Sequence, residues 1–208
     1  MTTPRGTFVA FEGGEGAGKS TQLALVAALA RESGLEVLTC REPGGTPFGE
    51  ALREALLHGR ASSARAELLA FSAARADLVD VVIAPAIERG ALVLCDRFSA
   101  STVAYQQYAR GLEPALVARA IELATGGLAP ILNVLLDLPP AAGLERAGAP
   151  SDRFEREGLT FHEAVRAGFL AQANADPARW LVLDATCAPE VLAAEAFEAI
   201  RRLLQPSA

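Results

Sequence analysis

An α/β fold, one parallel five-stranded sheet covered by helices on both faces, is what the chain predicts, and three observations carry the prediction. Five short apolar segments alternate with segments of helical spacing along the 208 residues. These five segments are apolar nearly throughout, as strands buried on both faces are. Each then runs into charged or glycine-rich sequence, and in such sheets ligands sit at the carboxyl ends of the strands. No internal repeat or low-complexity linker divides the chain, so residues 1–208 are read as one domain with a full hydrophobic core.

The elements follow in order. Thr7–Glu12 is β-branched and aromatic and reads as the first strand. Ser20–Ser33 places Leu23, Val26, Ala27 and Ala30 at helical spacing, and Gly34 stops it. Glu36–Cys40 is a second short strand, and the turn cluster Arg41–Pro47 separates it from a helix over Phe48–His58. Ala64–Ile87 is a long alanine-rich helical stretch with Pro85 near its end. Ala91–Cys95 reads as a buried strand ending at Asp96-Arg97. Glu113–Thr125 is a helix closed by Gly126-Gly127, and Ile131–Leu136 is a fourth strand ending at Asp137. Polar Gly148–Gly158 precedes a helix over Thr160–Ala175. Trp180–Leu183 is the last strand, ending at Asp184, and Pro189–Leu204 is the closing helix.

Composition narrows the function. A 51% hydrophobic and 21% charged chain is globular, and no apolar run reaches the ~18 residues of a membrane span. A net charge of -6 argues against a general nucleic-acid surface, so any bound anion must be held locally by a few arginines. Cys40, Cys95 and Cys187 are odd in number and lack metal spacing, which suits a reducing compartment. Met1–Phe11 has no signal-peptide pattern, and the expected location is the cytoplasm.

Lys19 is the only lysine of the chain and lies in Gly13-Gly14-Glu15-Gly16-Ala17-Gly18-Lys19-Ser20. That segment matches G-x-x-x-x-G-K-[ST], a loop whose backbone N–H groups surround phosphate oxygens. Its lysine reaches the β/γ-phosphates and its Ser/Thr hydroxyl binds Mg²⁺. The loop also has the required context, a strand before it and a helix N-terminus after it. The fold expected is therefore the three-layer P-loop NTPase type, with a nucleoside triphosphate and Mg²⁺ as ligands. Glu15 is anomalous, because a carboxylate beside phosphate oxygens repels them. It should point to a hydrogen-bond donor such as a sugar hydroxyl, unless it is a solvent-facing loop charge. Asp96 at a buried strand end suits Mg²⁺ or its waters, and Arg97 offers a bidentate fork to a phosphate. A strand-terminal ion pair is the competing reading.

The stretch Asp96-Arg97-Phe98-Ser99-Ala100-Ser101-Thr102-Val103-Ala104-Tyr105-Gln106 resembles the thymidylate kinase signature D-R-[FY]-x-x-S-x-x-A-[FY]-Q. Phe11–Gln22, Arg41–Thr46 and Phe71–Arg75 resemble the same family, in the same order. The resemblance implies transfer of the γ-phosphoryl of ATP to dTMP, a step toward dTTP, by a nucleoside monophosphate kinase-like domain. It implies a donor site over Gly13–Thr21, with Mg²⁺ at Ser20 and Asp96. For the acceptor it implies Phe71 stacked on thymine, Arg75 on the base edge, and Ser101, Thr102 and Gln106 on the thymine side. Arg97 would grip the acceptor phosphate, Tyr105 would lie under the deoxyribose, and Glu15 near the 3′-hydroxyl. Phe71, spaced with Leu68, Leu69 and Leu78, and Tyr105 also fit plain core packing.

Relatives place a catalytic arginine either in the phosphate loop or in a mobile lid. Gly16 occupies the variable loop position, so the resemblance implies a short lid over about 146–158 with Arg146, Arg153 and Arg156, of which Arg153 is favoured. A solvated helix start accounts equally well for any one of them. Homodimers through helix packing are common among relatives, and a homodimer is expected. The competing functions are a kinase for dUMP, another monophosphate or a nucleoside, and a nucleotide-dependent switch. A guanine-specifying Asn-Lys-x-Asp motif is excluded, because Lys19 is the one lysine.

Overall fold

In the computed structural model, which describes residues 6–60 and 62–204, β1 (Thr7–Gly13) is the middle strand of a five-stranded sheet. Of the segment read for targeting signals, residues 1–5 lie outside the described residues. The other strands are β2 (Val37–Arg41), β3 (Leu92–Asp96), β4 (Leu132–Asp137) and β5 (Trp180–Asp184). Their order is β2-β3-β1-β4-β5 and every pairing is parallel. The chain moves one way from β1 to β2 and the other way from β3 to β4. That reversal opens a crevice at the carboxyl ends of β1 and β3, where Phe11 is in register with Asp96.

The period-two geometry of β1 divides two cores. Val9 and Phe11 pack with Leu92 and Leu94 beneath α1 (Lys19–Glu32) and α9 (Pro189–Leu204). Phe8 and Ala10 face the other way, with Val93, Cys95, Leu78 and Ile83. β2 and β5, at the sheet edges, are only partly buried, whereas the inner strands are almost wholly covered. This is the three-layer arrangement expected of a P-loop NTPase.

The helical stretch predicted over Ala64–Ile87 is continuous but changes pitch. It comprises α3 (Ala64–Leu78), a π segment (Val79–Ile83) and α4 (Ala84–Glu88). The wider turn lies just ahead of Pro85, whose missing N–H cannot serve an i→i−4 bond. Two helices appear where periodicity assigns none. One is α7 (Pro140–Ala147). The other is α5 (Ser99–Thr102), which runs on as a π segment (Val103–Ala109) through the resembling signature. Its Arg110 N–H reaches back five residues to Tyr105 O, 2.9 Å. The remaining helices are α2 (Pro47–Leu57), α6 (Pro114–Thr125) and α8 (Leu159–Ala175). Between α7 and α8 the polar stretch forms turns that fold back on the site, with Phe154 in a third core beside Tyr105, Val165 and Phe169. No described helix is long and apolar enough to cross a membrane.

Candidate active site

The loop between β1 and α1 has the conformation its glycines predict. Gly16 and Gly18 have φ of 65° and 88°, left-handed values that cost a glycine little. Gly18 is also the N-cap of α1, so the positive end of that helix faces the loop. Among the described residues no hydrogen bond uses the N–H groups of Gly14, Glu15, Gly16, Ala17 or Gly18, which leaves them for an anion. Lys19 Nζ folds over the loop onto Gly14 O at 2.7 Å. Burial and nearby Arg97 push its ammonium below the ordinary lysine value, and an arriving phosphate would relieve both effects. A Cβ at Gly16 would lie 2.0 Å from Gly143 O in α7. The loop therefore has no room for a side chain there.

Ser20 Oγ donates to Asp96 Oδ2 at 2.7 Å, joining α1 to the end of β3. The pair fits Mg²⁺ chemically, as hard oxygen ligands on one side of the ion. Among the described residues no group of three or more His, Cys, Asp or Glu side chains is placed to hold a metal ion. Mg²⁺ is commonly held by only one or two protein groups, so a pair of protein oxygens would suffice for it. Thr21 is exposed on the first turn of α1.

These groups open into a cleft of about 290 Å³. Such a volume lies at the small end of the ~300–1,000 Å³ usual for ligand sites. Lys19, Ser20 and Asp96 line it together with Phe71, Arg75, Thr102, Tyr105 and Gln106. Arg97 lines it too and ties the phosphate loop to the helix that follows β3. Its Nη1 donates to Gly13 O at 2.9 Å and to Ser101 Oγ at 3.3 Å, and its Nη2 to Glu15 Oε1 at 2.9 Å. Tyr105 Oη donates to the same carboxylate oxygen at 2.6 Å, and the guanidinium lies 5.2 Å over the Tyr105 ring. Glu15 thus faces hydrogen-bond donors. Burial alone would raise its pKa, but Arg97, Lys19 and Tyr105 bring it down to about 2.

Arg75 is only 2% exposed. Its Nε and Nη2 donate to Glu42, with Nη2 to Oε2 at 2.7 Å, and its Cζ lies 5.2 Å from the Phe98 centroid. Nη1 has no partner, nor has Nε2 of buried Gln106. A guanidinium can only donate, so the cleft wall offers a donor to a ligand acceptor. Phe71 and Tyr105 pack against Phe154 of the 148–158 stretch, with ring centroids 5.8 and 6.0 Å from its own.

Sequence reasoning missed several site residues. Arg53 lines the cleft with its Nη1 donating to Pro43 O at 2.9 Å, beside Arg41, which pairs with Glu50 and lies in a strand-end turn the sequence had marked. Arg53 had a readable signal, since it lies on the first helix after a strand-end turn. Glu12 is completely buried, and burial pushes its carboxyl up to about 7 despite hydrogen bonds from Ser101 and Phe98. Arg153 is brought elsewhere. It does not line the cleft, since its Nη1 donates to Glu67 at 2.9 Å and its Nε to Leu56 O at 3.0 Å. The same Glu67 receives Arg110 Nε at 3.1 Å, and Arg110 Nη2 meets Glu157 at 2.6 Å. Arg146 donates to Ala185 O, and Arg156 is exposed. From the 148–158 stretch, Ser151, Asp152, Phe154 and Glu155 reach the cleft.

A family model described as thymidylate kinase matches residues 11–196. The chain is 49% identical over 201 residues to a thymidylate kinase of Thermomicrobium roseum, covering 95% of this chain and 96% of that one. It is 50% identical over 200 residues to a thymidylate kinase of Deinococcus radiodurans, covering 94% and 97%. Among solved structures, it is similar to thymidylate kinase from Ehrlichia chaffeensis, with a TM-score of 0.79 and 29% identity. That match covers 95% of this chain and 100% of the other.

Proposed function

The chain belongs to the thymidylate kinase family and phosphorylates dTMP to dTDP; we propose that it does so with ATP and Mg²⁺, by in-line transfer inside the cleft between Lys19 and Arg75. One observation carries this reading: Arg97 is tied to the phosphate loop through Gly13 O and Glu15, yet lines the same cleft as Phe71, Arg75 and Gln106. A guanidinium in that position bridges a donor phosphate and an acceptor phosphate.

On this reading the backbone of Gly14–Gly18 holds the ATP phosphates and Lys19 neutralises the β/γ oxygens. Mg²⁺ would be held by Ser20 and Asp96, and it supplies further charge neutralisation on the phosphates. The acceptor phosphate is ionised at neutral pH, so no general base is needed, and catalysis consists of positioning and charge. Arg97 aligns that phosphate, Phe71 stacks on the base, and Ser101 and Thr102 flank it. Tyr105 packs under the sugar, and Glu15 faces its 3′-hydroxyl.

The unpartnered Nη1 of Arg75 favours a base with a carbonyl at the edge it meets, as thymine and uracil have. Cytosine would present an amino group there, leaving two donors face to face in a buried place. The charge on the moving phosphoryl comes from the lid, since the loop has no room for a side chain at Gly16. Arg153 serves that role only by exchanging Glu67 for phosphate, which requires the lid to shift when ATP binds. Lid closure also excludes the water that would otherwise take the phosphoryl group.

A homodimer fits the exposed apolar side chains on two helices that pack together: Leu69 of α3 is 66% exposed and Leu123 of α6 is 87% exposed. The cytoplasm, where ATP and dTMP are found, is the location that suits this chemistry. The test is a panel of dTMP, dUMP, dCMP, dAMP and thymidine with ADP release measured, beside a Lys19→Ala control. dTMP used best, and no transfer by the control, are the results expected. Preference for another acceptor, or near-normal turnover without Lys19, would overturn the assignment.

A further inference from the structure

We propose that Glu12, which lines no part of the cleft, is a positioning residue for the transfer: it holds the backbone on the carboxyl side of Arg97 so that the guanidinium stays between the phosphate loop and the acceptor wall. The inference rests on the phosphoryl transfer proposed above and adds a residue to it.

Glu12 lies near the end of β1, two residues before Gly14, and is 0% exposed. Phe11 before it and Gly13 after it give the strand no use for a charge, so its carboxylate must answer to something across the sheet. Both oxygens are committed. Oε1 accepts Phe98 N–H at 2.9 Å, and Oε2 accepts the Ser101 hydroxyl at 2.6 Å. Phe98 is the N-cap residue of α5 and brings no capping side chain of its own, so a carboxylate from another strand does that work.

Between these anchors and the strand is Arg97, with φ of 70°. Among the described residues it is the one non-glycine residue in the left-handed region, and a side chain stays there only when its surroundings over-determine it. The surroundings are two consecutive residues of β1. Phe11 O accepts Arg97 N–H at 2.9 Å, while Glu12 takes the N–H of the residue that follows. Ser101 completes the arrangement: its hydroxyl hydrogen goes to Glu12, which leaves its lone pairs toward Arg97 Nη1 at 3.3 Å. Without Glu12, Arg97 is free to relax to negative φ, and its guanidinium leaves Gly13 O and Glu15.

The experiment compares Glu12→Leu, Glu12→Gln and the parent chain by thermal unfolding, by kcat and KM for dTMP and ATP, and by binding of a non-hydrolysable ATP analogue. Folded Glu12→Leu should lose about 100-fold in kcat and bind the analogue within about 3-fold of the parent, because misplacement of a catalytic group by ~1 Å has that effect. Glu12→Gln keeps an oxygen for Phe98 N–H and can donate to Ser101 Oγ, so it should recover to within about 10-fold of the parent kcat. A role confined to stability would lower the unfolding temperature and leave kcat per folded molecule unchanged, which overturns the proposal. Equal loss of analogue binding and kcat overturns it too. Should Glu12→Leu not fold, Glu12→Asp decides: it keeps the charge but is one methylene too short to reach both anchors, and parental kcat in it refutes the idea. A parent chain that does not phosphorylate dTMP would instead refute the transfer itself.

Discussion

Replacing Arg75 by Met separates what its guanidinium does for the fold from what it does for the substrate. Arg75 and Glu42 are 2% and 6% exposed, and three hydrogen bonds of 2.7 to 3.1 Å join them. Burial already pushes the Glu42 carboxyl above its usual range although Arg75 pulls it down. Arg75→Met leaves that carboxyl buried without its counter-charge, at a cost of about 3–5 kcal/mol. For a chain of this length each kcal/mol shifts the unfolding temperature by about 2–4 °C, so a fall of roughly 6–20 °C is expected. The double variant Arg75→Met/Glu42→Leu removes both charges and should return to within ~1 kcal/mol of the parent or exceed it. Activity should not return with it. Loss of a charged hydrogen bond to the base, worth ~1.5–3 kcal/mol, lowers kcat/KM for dTMP by about 10- to 100-fold in both variants. Thermal unfolding followed by circular dichroism and a coupled assay of ADP release read the two effects independently. Recovery of dTMP use in the double variant would refute base recognition by Arg75; a double variant as unstable as the single one would refute the account of the pair.

The other predictions concern the loop, the pH response and the surface. Gly16→Arg, which would place a guanidinium in the phosphate loop, should lower both the unfolding temperature and ATP affinity, because its Cβ meets Gly143 O at 2.0 Å; unchanged ATP affinity by calorimetry would contradict that geometry. Glu12 retains its proton up to about pH 7 in the native state, whereas the unfolded chain releases it near 4.5, so its stabilisation is complete below 4.5 and is lost as pH rises through 7. Urea unfolding at pH 5 and pH 8 should find the stability of Glu12→Gln relative to the parent higher at pH 8 by on the order of 3 kcal/mol, and no difference would refute the shift. Leu123→Glu should convert the proposed dimer to monomer by analytical ultracentrifugation, while a dimer of undiminished affinity would place the interface elsewhere.

Much of the site was legible because it is local. The Gly13–Ser20 loop needs its glycines and lysine contiguous, and Asp96-Arg97 follows its strand directly. The helices were legible from their period, and the inner strands as uninterrupted apolar runs, since both of their faces are buried. The helix over 99–109 was not, because its inward side chains include Thr102, Tyr105 and Gln106, polar groups that bury themselves against a site and blur the apolar stripe. Arg153 shows the opposite case. A lid arginine reads as a catalytic candidate, and only the approach of Glu67, 86 residues away in the chain, commits its side chain to the junction with α3.

The amino-acid sequence by itself determined the α/β class, the phosphate loop and the polar strand ends, because each is written in residues close together in the chain. Which strands are neighbours, which carboxylate meets which guanidinium, and which way Arg97 faces were decided by the tertiary structure. Those choices depend on burial: a charge removed from water must find its partner, and for Arg75, Arg97 and Arg153 the partners Glu42, Glu15 and Glu67 come from distant parts of the chain.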